Sequence, residues 1–205
     1  MAHKSTQWFH RHINDPFVKK AKAEGKRSRA AFKLTQILKK NHVIIKPSMT
    51  LIDLGSTPGS WSVELAAALK NQGLLISVDL LPMKAVHGAH FIQQDFTKEE
   101  GLKEIDACLD GKKAHMIFSD IAPEKGGNKW VDQVASIALN EEVLEFSRAR
   151  LKSGGHLLIK CFMGEGFEEF RTQLRQAFTK VKAVKPTASR TSSSEVFLLA
   201  TELKQ

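Results

Sequence analysis

Long apolar runs are missing from this 205-residue chain. No stretch of about 18 apolar residues occurs, so no membrane-spanning helix is expected. The opening segment, MAHKSTQWFHRH, has no apolar core, so it does not read as a secretory signal. Cysteine is scarce: Cys108 and Cys161 have neither metal-ligand nor redox spacing, and they read as free thiols of a reducing compartment. No metal site is expected. The GxxxxGK[ST] phosphate loop is absent, and no complete GxGxxG occurs. Internal repeats and low-complexity blocks are absent too.

Acidic residues are scarce in one place. Residues 1–46 hold 12 Lys/Arg and only Asp15 and Glu24, a net +10. The other 159 residues hold 19 bases and 20 acids, a net −1, so the overall +9 is an N-terminal feature. A second acid-free run lies between Glu169 and Glu195 and carries Arg171, Arg175, Lys180, Lys182, Lys185 and Arg190. Basic density of this kind points to phosphate and nucleic acid. A solvated surface or a mitochondrial presequence is the plainer alternative. The rest is ordinary globular composition, 42% hydrophobic and 26% charged, and the length suits one domain with a real core. The expected organisation is a basic arm over 1–46 in front of a compact body over 47–205.

Residues 26–41, KRSRAAFKLTQILKKN, place Ala30, Ala31, Leu34, Ile37 and Leu38 at helical spacing with a basic opposite face. Apolar runs predict strands at Met49–Leu54, Leu74–Val78, Phe91–Ile92, Met116–Phe118 and His156–Phe162. Helices are predicted over Trp61–Leu69, 98–110, Trp130–Leu151 and Gly166–Phe178. Two last strands, Val181–Val184 and Val196–Ala200, flank a Ser/Thr/Arg loop over Thr187–Ser194. Alternating strands and helices imply a mostly parallel α/β sheet. The last two strands have no helix between them, so they should pair antiparallel at one edge.

In open α/β sheets, ligands bind beyond the carboxyl ends of the strands. Those ends carry Asp53, Gly55, Asp79, Asp95, Asp120 and Lys160. Gly55 and Gly59 sit on the first strand-to-helix turn, where glycine lets backbone come close to a ligand. Thr57 and Ser60 replace the second and third glycines of GxGxxG, which disfavours a pyrophosphate and hence NAD. Asp79, 24 residues after Gly55, suits a ribose, and Asp95 suits an adenine amino group. A nucleoside without pyrophosphate points to S-adenosylmethionine. Helix caps and turns are the competing use of these acids. Lys160 lies in an apolar strand, LLIKCF, and lysine is rarely buried unpaired. Asp120, at the end of the neighbouring strand, is its natural partner. Glu195 stands beside another apolar strand, EVFLLA.

The segments SRAAFKL, DLGSTPGSW, VDLLPM, QQDF, SDIAP, LIKCFMGEGF and SRTSSSEVFLLA together resemble the bacterial FtsJ/RrmJ-type ribosomal RNA 2′-O-ribose methyltransferases, the large-subunit methyltransferase E family. The likeness runs from about residue 7 to the C-terminus, in one order. It implies a Rossmann-like methyltransferase fold, a seven-stranded mostly parallel sheet with an antiparallel last strand and helices on both faces. It also implies a Lys-Asp-Lys-Glu tetrad at Lys33, Asp120, Lys160 and Glu195. S-adenosylmethionine, leaving as S-adenosylhomocysteine, would meet Asp53, Gly55, Pro58, Gly59, Trp61, Asp79, Asp95 and Asp120. The implied substrate is a uridine ribose in the A-loop of 23S rRNA within the large ribosomal subunit. RNA contacts are expected at Lys26, Arg27, Arg29, Lys39, Lys40 and Arg190. A monomer in a bacterial cytoplasm is expected.

Two departures stand out. The family's LGAAPGGW is here LGSTPGSW, and its MAPNMSG is here IAPEKGGNKW, which puts Glu124, Lys125 and Gly126 where RNA should enter. The chemistry implied is alignment of a ribose 2′-OH with the sulfonium methyl and management of its proton. Lys160 could stabilise the alkoxide or accept the proton; the sequence leaves both open. A transfer RNA or cap 2′-O-methyltransferase would share the tetrad, but no aromatic cap pocket is evident. A non-catalytic ribosome-assembly factor would be basic yet have no need of all four tetrad residues.

Overall fold

A computed structural model describes residues 13–124 and 126–205. Residues 1–12 of the basic arm and Lys125 lie outside the described residues. A short helix α1 (Pro16–Ala23) is capped by Asp15, whose carboxylate accepts from the Phe17 and Val18 amides. Helix α2 (Ala30–Lys40) follows. Then come β1 (Thr50–Leu54), α3 (Ser60–Leu69), β2 (Leu74–Asp79), β3 (His90–Gln93), α4 (Glu99–Leu109) and β4 (Ala114–Ser119). The chain ends with α5 (Lys129–Arg150), β5 (Leu151–Phe162), α6 (Phe167–Ala177), β6 (Phe178–Val184) and β7 (Glu195–Leu203).

The seven strands lie in the order β3-β2-β1-β4-β5-β7-β6. The β3-β2-β1-β4-β5 pairs are all parallel. β7 inserts between β5 and β6 and runs antiparallel to both. The expected edge arrangement is therefore present. Helix α5 starts at Asn128, which caps the Trp130 and Val131 amides, and it gives way directly to β5 at Leu151. β5 thus begins five residues before the predicted His156. Its Ser153-Gly154-Gly155 turn is carried within the strand, where the β4–β5 register shifts.

Side-chain alternation divides the core in two. Leu51, Leu75, Met116, Phe118, Leu158 and Phe197 face α2 and α3. Ile52, Ile76, Ile117, Leu157, Ile159 and Leu198 face α4, α5 and α6. Leu34 and Ile37 of α2 are fully buried in the first cluster beside Trp61 and Leu65. The basic segment is therefore part of the core, and the expected boundary at residue 46 does not separate two cores. Its polar atoms are sewn in as well. The Trp61 indole N–H donates to Ala30 O at 2.8 Å, and Gln36 Oε1 accepts from the Thr187 hydroxyl and the Ala188 amide, each at 3.0 Å.

Candidate active site

Two ion pairs meet where β4 and β5 end and β7 begins. Lys160 in β5 lies opposite Phe197 in β7, and Phe162 lies opposite Glu195. Strand pairing therefore sets Lys160 and Glu195 close together, although 35 residues separate them in the chain. Lys160 Nζ donates to the Asp120 carbonyl and sits 3.1 Å from Asp120 Oδ1. Both side chains are mostly buried, 10% and 19% exposed. Lys33 reaches in from α2, with Nζ 2.8 Å from each Glu195 carboxylate oxygen and 5.6 Å from the centre of the Phe197 ring. The Ser189 hydroxyl donates to Glu195 Oε1 at 2.7 Å.

Burial acts to raise the Glu195 carboxyl. The Lys33 charge and hydrogen bond, the Ser189 hydrogen bond and the Lys160 charge outweigh it, so Glu195 is held below the ordinary carboxylate range. The Lys160 charge is felt at Glu195, so the four groups act as one electrostatic cluster. Arg29 and Arg190 border a small cleft of about 210 Å³ beside Lys33 and Glu195. Burial and the neighbouring Arg190 charge both act to lower the Arg29 pKa.

The first strand-to-helix turn, residues 55–59, lies next to this cluster. Gly55 has φ +74°, and a Cβ there would fall 2.5 Å from Ile121 Cγ1. Gly59 has φ +94°, and a Cβ there would strike the Arg27 guanidinium and lie 2.8 Å from Met83 Sδ. The atoms that a Cβ would meet at these two glycines are the protein's own. Asp79 accepts from the Thr57 amide and the Leu81 amide, each at 2.8 Å, and so braces the turn against the end of β2. Asp95 accepts from the amide and hydroxyl of Thr97 at the start of α4. These are turn and cap roles, though each carboxylate keeps further acceptor sites. The Trp61 ring is buried among Phe118 and Phe197, so only its backbone borders the turn.

Asp53, 1% exposed, accepts from Ser62 Oγ at 2.7 Å, and Ser77 Oγ donates to Ser62 at 2.9 Å. Burial pushes its carboxyl up to about 7, against the Ser62 hydrogen bond and with help from the Asp120 and Asp79 charges. Asp53 Oδ1, Ser56 Oγ and Asp120 Oδ1 are buried without a hydrogen bond; the Lys160 ammonium near Asp120 Oδ1 is off the hydrogen-bond axis. Buried polar atoms are normally bonded. These three atoms lie around the ends of β1 and β4, beside the charged cluster.

Several expected RNA contacts are committed elsewhere. Arg27 donates to the carbonyls of Pro58, Lys84 and Ala85 at 2.9, 2.7 and 2.6 Å. Lys26 pairs with Glu64 at 2.6 Å. Arg29 pairs with Asp15 and donates to Ala188 O, and Arg190 Nε lies 3.5 Å from Asp15. In this structure the donors of Lys26 and Arg27 are used within the protein, and they tie the segment before α2 to α3, to the first turn and to the loop before β3. Lys39 and Lys40 are exposed at the end of α2. Ser62, Ser77, Ser189 and Gln36 escaped the sequence reading, because no local pattern marks a hydroxyl or amide whose partner is distant in the chain.

The FtsJ-like methyltransferase family profile matches residues 26–203. The chain belongs to the FtsJ-like methyltransferase family. It is 47% identical over 195 residues to the ribosomal RNA large subunit methyltransferase E of Methylobacillus flagellatus, covering 95% of this chain and 94% of the relative. It is 44% identical over 195 residues to the enzyme of that name from Acinetobacter baumannii, covering 95% and 90%. A solved ribosomal RNA methyltransferase from Plasmodium falciparum superposes with a TM-score of 0.78 at 27% identity, covering 86% of this chain and 98% of that one. This FtsJ-like methyltransferase keeps Lys33, Asp120, Lys160 and Glu195 together in the one charged cluster described above. The Rossmann-like sheet expected for the family is the fold observed.

Proposed function

We propose that the protein methylates the 2′-oxygen of a uridine ribose in 23S rRNA, in the A-loop of the large ribosomal subunit, using S-adenosylmethionine. The observation that carries this reading is the Lys160–Asp120 pair at the sheet's carboxyl end, with Asp53 Oδ1 and Ser56 Oγ left without hydrogen bonds beside it. Those oxygens suit the polar ends of the cofactor: Asp53 and Asp120 as acceptors, Ser56 as donor or acceptor. The amides opening α3 have no intrahelical partner and suit a carboxylate. Gly55, Pro58, Gly59 and the Trp61 backbone shape the turn; Asp79 and Asp95 offer acceptors for ribose and adenine. Bound there, S-adenosylmethionine supplies an electrophilic sulfonium methyl.

The chain's own residues then have separable tasks. Lys160 donates to Asp120 and keeps ammonium hydrogen free for the ribose oxygen, whose developing negative charge it stabilises while the 2′-OH proton passes to solvent water. Asp120 fixes the direction of that ammonium. Glu195, kept ionised by Lys33, Ser189 and Lys160, adds negative field on the other side. Lys33 holds Glu195 and stands ready for the adjacent phosphate, with Arg29 and Arg190 beside it. Lys39 and Lys40, with Lys185, border a groove of about 450 Å³ that would follow the RNA backbone. The relatives named ribosomal RNA large subunit methyltransferase E support a ribosomal RNA substrate.

The test is Lys160→Met, which removes the donor while keeping the stem. Methyl transfer from labelled S-adenosylmethionine to large subunits should fall by about 10³-fold or more. Cofactor affinity by equilibrium dialysis should stay within about threefold, a change of less than ~1 kcal/mol. Turnover near that of the parent would remove Lys160 from the centre.

A further inference from the structure

A cleft of about 640 Å³ opens beside the tetrad on the side away from α2. Its lining includes Pro123, Trp130, Gln133, Met163, Glu165 and Ser194. Met163 is three residues beyond Lys160, Ser194 directly precedes Glu195, and Pro123 is three residues beyond Asp120. The Met163 amide donates to the Ser194 carbonyl at 2.9 Å, which closes the floor between β5 and β7.

Trp130 and Met163 are 61% and 58% exposed, large apolar side chains left in water at the mouth of an active site. Trp130 is held in place. Asn128 caps its amide, and its indole N–H donates to Glu165 Oε2 at 2.9 Å. Gln133 Nε2 donates to the Phe162 and Glu165 carbonyls at 3.1 and 2.9 Å and fixes the segment across from the indole. A preset aromatic face with an acidic acceptor at its edge suits a planar base that offers an N–H group, as uracil does at N3.

We infer that this cleft receives the base of the nucleotide being methylated, with Trp130 stacked on its face. The inference rests on the RNA-methylating role proposed above. A ribose at Lys160 has its phosphates and its base on different sides. The Lys33, Arg29 and Arg190 charges lie on the α2 side of the sheet and take the phosphates. The Trp130 cleft, at the start of α5 on the other side, takes the base. The Glu165 and Asp132 carboxylates line the cleft, each with one oxygen engaged, by Trp130 and by the Gly126 amide at 2.8 Å, which leaves Glu165 an acceptor for the uracil N3–H. Trp130, at the start of α5, is thus the residue that binds the base.

Trp130→Ala should raise the KM for RNA by roughly 5- to 150-fold, the range for loss of one stacked base, with kcat little changed. Trp130→Phe should recover most of that loss. An RNA KM within twofold of the parent for Trp130→Ala would overturn the inference. A second measurement needs no methyl transfer: titration of a single-stranded uridine-rich oligonucleotide while tryptophan fluorescence is followed. The quench should fall by half or more in Trp130→Phe; an unchanged quench overturns the inference. A Trp130-dependent quench in a protein that methylates no RNA would sink the proposed function and leave the base cleft standing.

Discussion

Replacing Asp53 by asparagine removes one titration from the core while keeping its shape. Asp53 is buried in β1, and burial is the first cause that raises its carboxyl to about 7 from 3.8. The Ser62 hydrogen bond opposes the rise, and the Asp120 and Asp79 charges add to it. An acid raised in the folded state takes up a proton on folding, so it favours the native protein at low pH. That contribution is full below the unfolded value and is lost as pH rises through the folded one. The shift corresponds to about 4 kcal/mol in all, of which about 3 kcal/mol lies between pH 5 and pH 8. Urea unfolding of cofactor-free protein at pH 5, 6.5 and 8 reads it directly. Relative to Asp53→Asn, the parent should lose about 3 kcal/mol across that range. Stabilities that move in parallel, within about 0.5 kcal/mol, would refute the burial argument.

Glu195→Gln should flatten the acid side of the stability profile: a carboxyl held low by Lys33 contributes above its unfolded value, and that contribution disappears as pH falls through the folded one. Unfolding at pH 7 and pH 4 checks the difference. Arg27→Met should cost about 1–3 kcal/mol by removing three bonds to backbone carbonyls, yet leave the salt slope of RNA binding unchanged. Lys39→Ala with Lys40→Ala should do the reverse: stability within about 0.5 kcal/mol, and a salt slope shallower by about 1.5 in a filter-binding series. Gly55→Ala should lower stability by about 2–3 kcal/mol in thermal unfolding, since it forces a left-handed φ and meets Ile121.

Much of this was legible in the residues because strand ends are local. Asp53, Asp79, Asp120 and Lys160 each close an apolar run, and the parallel pairing β1–β4–β5 follows from alternation with helices. The pairing of Lys160 with Asp120 follows from the same order. Other features depend on contacts that no spacing encodes. Arg27 reads as one more base in KRSR, yet its donors fit carbonyls 31 and 57–58 residues away. Helix α1 is short and basic, and it is held by the Asp15 cap, by the Asp15–Arg29 pair and by Phe17 and Ala21 packed against Phe32 and Ala188, partners distant in the chain. The early start of β5 at Leu151 was hidden by Gly154 and Gly155, which read as a stop but sit inside the strand. Trp130 read as the first residue of a helix, and only its exposure beside Met163 gives it a further use.

The central claim is ribose methylation centred on Lys160. Labelled S-adenosylmethionine, incubated with large ribosomal subunits that lack the modification, tests it most directly when the labelled nucleotide is then mapped. The account predicts label on the 2′-oxygen of one uridine in 23S rRNA, resistant to alkaline cleavage on its 3′ side, and no label with Lys160→Met. Label on a base, or equal labelling by the Lys160→Met protein, would contradict it.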